Sequence, residues 1–496
     1  MMKKLLILAL MSAGVSACVS TSDDVVVSPK IDTSNDRVKS KLVLPYKQLG
    51  VVIPKNSSQT KNNLTVGCET VDRDYTDYDA YKEYLAPLGI KKIRLQGGWA
   101  KTEKVKGVYN FAWLDHIVND AISRGITPWV QTSYGNQIYN GGGTPFLKGG
   151  MPCTKEGKDA WNRWVEAIAK RYAGKVEWEM WNEPDINRKT PKMETVDINV
   201  RTTNIILKHD PKAKIAGLSL ASTKPGNFEI YVKAMAELGM LDKFTWLTYH
   251  GYEYRPEASY VNIDKMREIL AKYSKKVLLR QGENGAPSKG YMGGALAHNP
   301  WTEYSQAKWD LRRMLGDWGR GIETSVFSIS DMNYFNNAQG FAGVDQIKIK
   351  NVKGLLGTDD KNRVIKIKMA YYAVQNLVSV FELLDNQQGK LVISKEYPEQ
   401  IEAFGYIDNE TRTPAFTIWF GDNTPSNLIL TIPVDVELKG GAKIKEPVWV
   451  DILSGKVCEI PASAISRSGN TLKIKGLHLY DSPVLITDKS VVDFRK

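Results

Sequence analysis

Two glutamates stand where buried segments of the chain come to an end. Glu183 follows the apolar segment 176–181, and Glu283 follows the apolar segment 276–280. Because the carboxyl ends of parallel strands meet at one edge of a sheet or barrel, both side chains can face a shared cleft there. A carboxyl group held in such a cleft can transfer a proton to a leaving oxygen. The alternative is that the Asn-Glu-Pro sequence around Glu183 is only a turn, since Asn and Pro are common turn residues.

The spacing of Glu183 and Glu283 fits a repeating fold. The two residues lie 100 positions apart, and a strand-plus-helix unit takes roughly 30 residues, so the interval holds about three units. This predicts Glu183 at the end of a fourth strand and Glu283 at the end of a seventh, where both can reach one sugar. Carboxyl groups about 5 to 5.5 Å apart suit glycoside cleavage with retention, and about 6.5 to 9.5 Å suits inversion. The sequence leaves both outcomes open.

Residues 64–382 alternate short apolar runs with amphipathic stretches, a pattern typical of repeated strand-helix units around a parallel sheet. We predict an α/β fold, a (β/α)8 TIM barrel. A doubly wound open sheet is the alternative, but no glycine-rich phosphate loop follows the first strand. The eight predicted strands are Leu64–Cys68, Ile90–Leu95, Thr127–Thr132, Val176–Trp181, Lys214–Leu218, Phe244–Tyr249, Lys276–Arg280 and Glu323–Ile329.

The chain of 496 residues is longer than one hydrophobic core normally fills. In residues 383–496 the helical period stops, and short alternating runs separated by Gly, Asn and Pro predict a C-terminal antiparallel β-sandwich domain. Residues 41–63 are expected to supply an N-terminal strand that joins this sandwich. The predicted sandwich strands are Leu391–Ser394, Ala415–Phe420, Leu428–Ile432, Val448–Asp451, Leu472–Lys475 and Val484–Thr487.

The first residues have the composition of an export signal. Residues 1–17 combine two early lysines with the apolar run Leu5–Val15, which is too short to span a bilayer. The sequence Val-Ser-Ala-Cys ending at Cys18 resembles the bacterial lipobox, which implies cleavage before Cys18 and lipid attachment to its thiol. An ordinary secretory signal with a chance cysteine is the alternative.

Residues 18–40 are rich in Ser, Thr, Asp and Val without periodicity and predict a flexible tether. Asp23 and Asp24 resemble the acidic export tags of bacterial surface lipoproteins. We therefore expect a protein that is anchored by lipid to the bacterial outer membrane, on its periplasmic or outer-surface face. The lipid is the expected membrane contact.

Charge and cysteine content narrow the classes of partner. The formal net charge is +12, which favours either general solubility or attraction to an acidic polymer. Lysines are scattered rather than clustered and no nucleic-acid motif is present, so nucleic acid is not an expected partner. Cys68, Cys153 and Cys458 lack metal-ligand spacing. A disulfide between Cys68 and Cys153 and buried free thiols are both open.

Other chemically capable residues follow the predicted second and sixth strands. Arg94, Gln96 and Trp99 close the second strand, and His250 and Tyr252 close the sixth. An arginine near a carboxylate keeps it ionised by charge pairing and hydrogen bonding. Aromatic and hydroxyl groups at the mouth of a barrel can stack on sugar faces and bind hydroxyl groups. Each residue has a structural alternative, such as an internal ion pair or a satisfied buried imidazole.

Together these residues resemble the clan A glycoside hydrolases, and most closely family 39, over about residues 64–382. The Asn-Glu pair is the most specific part of the resemblance. It implies a retaining barrel enzyme in which Asn182 binds the sugar 2-hydroxyl, Glu183 is the acid/base and Glu283 is the nucleophile. Arg94 would support the charge of the nucleophile, and the sequence at 250–252 matches the family's His-x-Tyr.

The chain departs from the family at two positions that would face the sugar. Gln96 stands where the family usually has His, and Phe327 stands where it often has Trp. The resemblance therefore does not carry the family's xylosidase specificity to this chain. The basic charge balance slightly favours a substrate with acidic groups.

The sequence as a whole predicts a retaining glycoside hydrolase that acts on a polysaccharide or oligosaccharide, with no organic cofactor and no metal. The predicted substrate-binding residues are Arg94, Gln96, Trp99, Asn182, His250, Tyr252 and Phe327. The alternative is a glycan-binding surface lipoprotein that keeps the barrel without catalysis. The sugar, the linkage and the choice between exo and endo action are open.

Overall fold

A computed structural model describes residues 27–187, 190–290, 294–334, 349–387, 391–393 and 400–496. The predicted signal segment 1–17 and Cys18 lie outside the described residues. No helix in the described ranges is long and apolar enough to cross a membrane.

A ring of eight parallel strands forms the centre of the molecule. After β1 (Lys47–Val52), its strands are β2 (Thr65–Gly67), β3 (Lys92–Gln96), β4 (Thr127–Thr132), β5 (Glu177–Met180), β6 (Ile215–Leu220), β7 (Trp246–Tyr249), β8 (Leu278–Gln281) and β9 (Ser325–Val326). Neighbours pair in chain order, and β9 pairs with β2. Parallel bridges from Arg280 to Glu323 and from Asn284 to Val326 close the ring between β8 and β9. The predicted TIM barrel is confirmed.

Helices cover the outside of the barrel. They are α1 (Tyr78–Tyr81), α2 (Leu85–Leu88), α3 (Trp99–Thr102), α4 (Ala112–Ser123), α5 (Lys155–Tyr172), α6 (Lys192–His209), α7 (Pro225–Glu237), α8 (Tyr260–Tyr273), α9 (Glu303–Gly319) and α10 (Met369–Val380). Most of the longer helices bury one face against the strands, whereas α9 and α10 are buried on nearly all sides. In α5, for example, Trp161, Trp164 and Ile168 are buried at helical spacing.

The interior of the barrel contains charged residues in opposed pairs. Nζ of Lys92 lies 3.0 Å from Oε1 of Glu177, and Nη1 of Arg280 lies 3.0 Å from Oε2 of the same carboxylate. The guanidinium of Arg280 also lies 3.6 Å from the ring centre of Trp129. Because an unpaired buried charge is strongly unfavourable, these pairs allow polar side chains to fill the space inside the strands.

Two short antiparallel strand pairs lie between β9 and α10: β10 (Met332–Tyr334) with β11 (Ile349–Asn351), and β12 (Leu356–Thr358) with β13 (Val364–Ile367). An antiparallel β domain follows α10. The remaining strands are β14 (Leu384–Gln387), β15 (Leu391–Ile393), β16 (Ile401–Asp408), β17 (Pro414–Phe420), β18 (Ile432–Lys439), β19 (Pro447–Asp451), β20 (Lys456–Glu459), β21 (Ile465–Ser468), β22 (Thr471–Leu479), β23 (Val484–Asp488) and β24 (Phe494–Arg495).

Two sheets build this domain. The larger has the order β14-β16-β17-β23-β19-β20-β1-β24 and the smaller β15-β18-β22-β21. The N-terminal strand β1 pairs antiparallel with β20 and β24. Apolar side chains from both sheets, among them Phe416, Val434 and Trp449, pack into one buried cluster. The predicted C-terminal antiparallel domain is confirmed.

One predicted strand is wrong, and one question that the sequence left open is answered. The segment Leu428–Ile432 is not a strand: β18 begins at Ile432, and Leu428 and Leu430 are 66% and 74% exposed. Its consecutive apolar residues lack the period of two that places one face of a strand on a core. The disulfide considered between Cys68 and Cys153 is not formed, because both are free cysteines, one buried and one exposed.

A buried ion pair of the barrel also contacts the β domain. Arg312 of α9 donates to both oxygens of Glu257, at 2.8 and 2.5 Å. Nε1 of Trp419 on β17 donates to the same carboxylate at 2.9 Å. Both charged side chains are fully buried. The two domains therefore share a hydrogen-bonded contact that is buried from solvent.

Candidate active site

Glu183 is held by a strained turn after β5. Trp181 and Glu183 both have left-handed backbone conformations, with φ of 57° and 48°. Such conformations cost a non-glycine residue roughly 1–2 kcal/mol. The N–H of Glu183 donates to the carbonyl of Ser219 on β6 at 2.8 Å, which fixes this turn against the neighbouring strand. The turn directs the Glu183 carboxyl into the mouth of the barrel.

Glu283 occupies the equivalent place after β8. The N–H of the preceding Gly282 donates to the carbonyl of Tyr249 at 2.9 Å. The following Asn284 donates through Nδ2 to the carbonyl of His250 at 2.5 Å. The hydroxyl of Tyr252 donates to Oε1 of Glu283 at 3.0 Å. The carboxylate is therefore fixed by its own backbone and by the loop after β7.

The two carboxyl groups lie close together. One oxygen of Glu183, one oxygen of Glu283 and one ring nitrogen of His250 all lie within 4.8 Å of one another. Nδ1 of His250 is 2.8 Å from Oε1 of Glu183 and 3.8 Å from Oε2 of Glu283. Folding thus brings residues from the ends of three strands to one point.

Arg94 lies beneath the two carboxyl groups and is fully buried. Its Nη1 donates to Oε2 of Glu283 at 3.1 Å and to Oε1 of Glu69 at 2.8 Å. Its Nε donates to Glu179 at 2.7 Å, and its Nη2 donates to Oδ1 of Asn182 at 2.8 Å. A single guanidinium therefore orients the amide beside Glu183 and also contacts Glu283.

The environments of the two glutamates shift their pKa values in opposite directions. Burial raises the pKa of Glu183, and the charge of Glu283 raises it further, while His250 opposes both effects. Burial would also raise the pKa of Glu283, but the charges of His250 and Arg94 and the Tyr252 hydrogen bond outweigh it and lower that pKa. One carboxyl group therefore favours its protonated form and the other its ionised form.

A single pocket exposes this chemistry to solvent. The predicted residues Gln96, Asn182 and Phe327 line it beside the two glutamates. Arg94, His250 and Tyr252 instead contact the glutamates from behind or from the side. The other lining residues are Glu69, Thr70, Arg73, Tyr75, Tyr134, Leu147 and Tyr334.

Trp99, which the sequence predicts as a substrate contact, does not line the pocket. It is fully buried, and its ring lies 6.0 Å from that of Trp164 and 5.5 Å from that of Trp161. Its Nε1 donates to Glu103 at 2.6 Å. Gly98 has φ of 59°, and this left-handed turn directs the following residue to the helical layer instead of the barrel mouth.

Several residues of the site were not predicted from the sequence. Glu69 follows β2 in the same way that the other two glutamates follow their strands, so the same signal was available. It is buried, and a side chain at Gly67 would lie 2.2 Å from its Oε2, so the glycine makes room for the carboxyl. Tyr134 follows β4, and its hydroxyl accepts from Nδ2 of Asn182 at 2.7 Å.

The three-residue group of Glu183, His250 and Glu283 has the spacing of a metal site within the described part of the chain. The same atoms already have partners, since Arg94 donates to Glu283 and His250 is bonded to Glu183. A guanidinium in contact with a ligand carboxylate repels a cation. The arrangement therefore suits proton transfer and covalent attack better than metal binding.

No protein-family model and no curated protein matches the sequence significantly. A family 39 glycoside hydrolase from the gut symbiont Bacteroides cellulosilyticus has a similar structure, with a TM-score of 0.59 and 16% identity over 88% of this chain and 83% of that chain.

Two further solved structures are similar over most of the chain. A monomeric beta-xylosidase from Caulobacter crescentus has a TM-score of 0.55 and 14% identity over 89% of this chain and 97% of that chain. A GH39 enzyme from Xanthomonas axonopodis pv. citri has a TM-score of 0.52 and 14% identity over 88% and 95% of the two chains. The chain thus has the barrel and β domain fold found in family 39 glycoside hydrolases.

Proposed function

We propose that this protein is a glycoside hydrolase that cleaves with net retention. The observation that carries the proposal is the placement of two carboxyl groups in one pocket, with oxygens within 4.8 Å of one another and pKa values shifted in opposite directions. Retaining enzymes need such a short separation, because no water has to fit between the sugar and the nucleophile. The fold shared with family 39 glycoside hydrolases supports the same reaction.

In the first step Glu183, protonated, gives its proton to the glycosidic oxygen as the bond to the anomeric carbon breaks. Glu283, ionised, supplies the electron pair that forms the new bond to that carbon. Arg94 and Tyr252 hold the attacking carboxylate, and Asn182 lines the pocket where it can bind a sugar hydroxyl. In the second step Glu183 removes a proton from water, which attacks the anomeric carbon and releases Glu283.

The test uses the nucleophile. Wild-type protein is incubated with a panel of neutral and acidic plant and algal glycans, and the anomeric configuration of the released sugar is followed by NMR. Glu283→Ala is expected to lose at least about 10⁴-fold in kcat and to regain turnover with azide, which gives a glycosyl azide of inverted configuration. Glu156→Gln, at an exposed glutamate of α5, is the matched control and should keep full activity.

The outcome also separates catalysis from binding alone. If the wild type binds glycans but releases no sugar from any of them, the protein is a glycan-binding lipoprotein and the proposed reaction is wrong. If Glu283→Ala stays active, the role given to that residue is wrong. First-formed product of inverted configuration from the wild type would instead indicate an inverting hydrolase.

We also propose that the protein is anchored to the outer membrane by lipid at Cys18, on its periplasmic or outer-surface face. The lipobox-like sequence that ends at Cys18 supports this location. Wild type expressed in its host should incorporate radiolabelled palmitate, and Cys18→Ser should not. Digestion of whole cells with protease distinguishes the two faces, and soluble, unlabelled wild-type protein would contradict the anchor.

A further inference from the structure

Arg73 lines the same pocket as the two catalytic glutamates. It lies in a single helical turn, Val71–Arg73, that follows β2. The residues at both ends of this turn, Thr70 and Asp74, have left-handed φ values of 74° and 57°. The loop therefore bends sharply twice, and the side chain of Arg73 lies in the pocket with 9% of its surface exposed.

The guanidinium of Arg73 is held along one side. Its Nε lies 3.2 Å from Oδ1 of Asp72, and its Nη2 donates to Oε1 of Gln96. Its central carbon lies 4.7 Å from the ring centre of Tyr134 and 5.4 Å from that of Tyr75. Two aromatic rings and two polar partners thus fix the plane and the direction of the group.

The terminal edge of this guanidinium remains available. Within the part of the chain that the structure describes, Nη1 of Arg73 donates to no protein atom, whereas Nε and Nη2 both have partners. A guanidinium has five N–H donors in a fixed planar fork. The free edge therefore offers donors to a molecule in the pocket, and their geometry matches two oxygens of one anionic group.

Gln96, which stands where family 39 usually has His, also holds the guanidinium of Arg73. Its Oε1 accepts from Arg73 and from the N–H of Thr70, the latter at 3.2 Å. Its Nε2 lies 3.3 Å from the hydroxyl of Tyr134. Glutamine at this position can accept from Arg73 and donate to Tyr134 at the same time, which keeps the guanidinium in place.

Taken with the proposed glycosidase function, on which it rests, the geometry points to a substrate sugar that carries an anionic substituent, a carboxylate or a sulfate ester, bound by the free edge of Arg73. Among the described residues that line the pocket, Arg73 is the only cation, beside the carboxyl groups of Glu69, Glu183 and Glu283. A neutral hydroxyl accepts a weaker hydrogen bond from this edge than an anionic oxygen does.

The experiment compares pairs of p-nitrophenyl glycosides that differ in one substituent. In one arm the hydroxymethyl group at C5 is replaced by a carboxylate, and in the other a hydroxyl is replaced by a sulfate ester, for gluco and galacto rings. Wild type is expected to have a kcat/KM at least about 10-fold higher for the anionic member of one arm. The arm that responds identifies the anion, and equal kcat/KM values or a preference for the neutral member in both arms overturn the inference.

Variants of Arg73 locate the effect. Arg73→Gln should lower kcat/KM for the preferred anionic glycoside by about 10- to 100-fold, mainly through KM, and change the neutral partner only a few fold. Arg73→Lys keeps the charge but loses the fork, so its loss should be intermediate. Arg267→Gln, at an exposed arginine of α8, is the control and should match wild type. Equal losses of Arg73→Gln on both members of a pair contradict the role of Arg73.

A binding measurement separates this inference from the proposed function. Calorimetry compares glucuronic acid, galactose 6-sulfate and glucose as probes of the wild type and of Arg73→Lys. If no glycoside is cleaved but an acidic probe binds wild type more tightly than Arg73→Lys, the reaction fails and the anion site stands. If neutral glycosides are cleaved and no acidic probe binds or is cleaved, the reaction stands and the anion site fails.

Discussion

Nδ1 of His250 lies 2.8 Å from Oε1 of Glu183, and the imidazole is fully buried. The same ring is 3.8 Å from the Glu283 carboxylate. Burial opposes protonation of the imidazole, but the charge of Glu283 and the bond to Glu183 raise its pKa. His250 therefore favours the ionised form of both glutamates and influences both limbs of a pH profile.

Replacement of His250 by Phe should move both limbs of the kcat/KM profile to higher pH. In the wild type, activity rises as Glu283 ionises, at a pKa below its ordinary value, and falls as Glu183 ionises, at a pKa above its ordinary value. Loss of the imidazole removes a group that lowers both pKa values. We expect kcat to fall by about 10². The profile is measured from pH 3 to 9.

His116→Phe is the control for this experiment, since His116 lies on the exposed side of α4, with 49% of its side chain exposed. Its profile should coincide with that of the wild type. Limbs that stay in place or move to lower pH in His250→Phe would show that His250 does not set the ionisation of the pair.

Replacement of Glu69 by Gln should change the pH dependence of stability. Burial raises the pKa of Glu69 to about 7, the charge of Glu283 adds to the increase, and Arg94 opposes it. The folded protein thus favours protonated Glu69, and this contribution is complete below the ordinary carboxyl pKa and is lost as pH rises through about 7. Glutamine is neutral at every pH, so the Tm of the variant minus that of wild type should be larger at pH 8 than at pH 5.

The same variant tests whether Glu69 is protonated when Glu283 ionises. The two carboxyl groups share Nη1 of Arg94, at 2.8 and 3.1 Å. The rising limb of kcat/KM follows Glu283, whose pKa lies below its ordinary value, and Glu69 is still protonated and neutral at that pH. Glu69→Gln should therefore leave the rising limb in place. A Tm difference that is constant with pH, or a rising limb that moves to lower pH, would contradict the raised pKa of Glu69. Glu156→Gln serves again as the surface control.

Replacement of Trp99 should lower the stability of the fold and leave the affinity for substrate unchanged. It packs among Tyr139, Trp161 and Trp164 and is fully buried. Trp99→Ala should lower the free energy of unfolding by about 3–5 kcal/mol, as measured by urea denaturation. The milder Trp99→Phe should fold and keep the wild-type KM. An increase of KM by about 10-fold in Trp99→Phe would indicate that Trp99 does contribute to substrate binding.

A control for this loss is Leu430→Ala. Leu430 is 74% exposed, and its truncation should change the free energy of unfolding by no more than about 0.5 kcal/mol. A similar loss of unfolding free energy in both variants would indicate that the buried aromatic cluster stabilises the fold no more than an exposed side chain does.

The buried ion pair that contacts the β domain can be tested by a double-mutant cycle. Arg312→Met leaves the buried carboxylate of Glu257 without its arginine, which should cost about 3–5 kcal/mol of unfolding free energy. Addition of Glu257→Gln removes the uncompensated charge and should restore part of the loss, since Trp419 can still donate to this residue. Strictly additive losses would show that the two side chains do not interact. Chemical denaturation of the four proteins gives the coupling energy.

The sequence by itself determined the barrel and the position of its strand ends. The eight predicted strands are all present, because alternation of buried strands with amphipathic helices is a local pattern that the fold preserves. The acids Glu183 and Glu283 were placed at strand ends by the same pattern. The segment Leu428–Ile432 was misread because apolar composition without alternation does not specify a strand.

Only the tertiary structure decided which strand-end residues share the pocket. The turn at Gly98 directs Trp99 to the helical layer, while Gln96, three residues earlier, lines the pocket. Arg73 reaches the pocket from a loop after β2, and a loop has no periodic pattern from which the position of a side chain can be predicted. Distances between residues far apart in sequence, such as the one from Glu183 to Glu283, depend on how the strands close into a ring. Closure is a property of all eight strands together, so no local stretch of sequence encodes it.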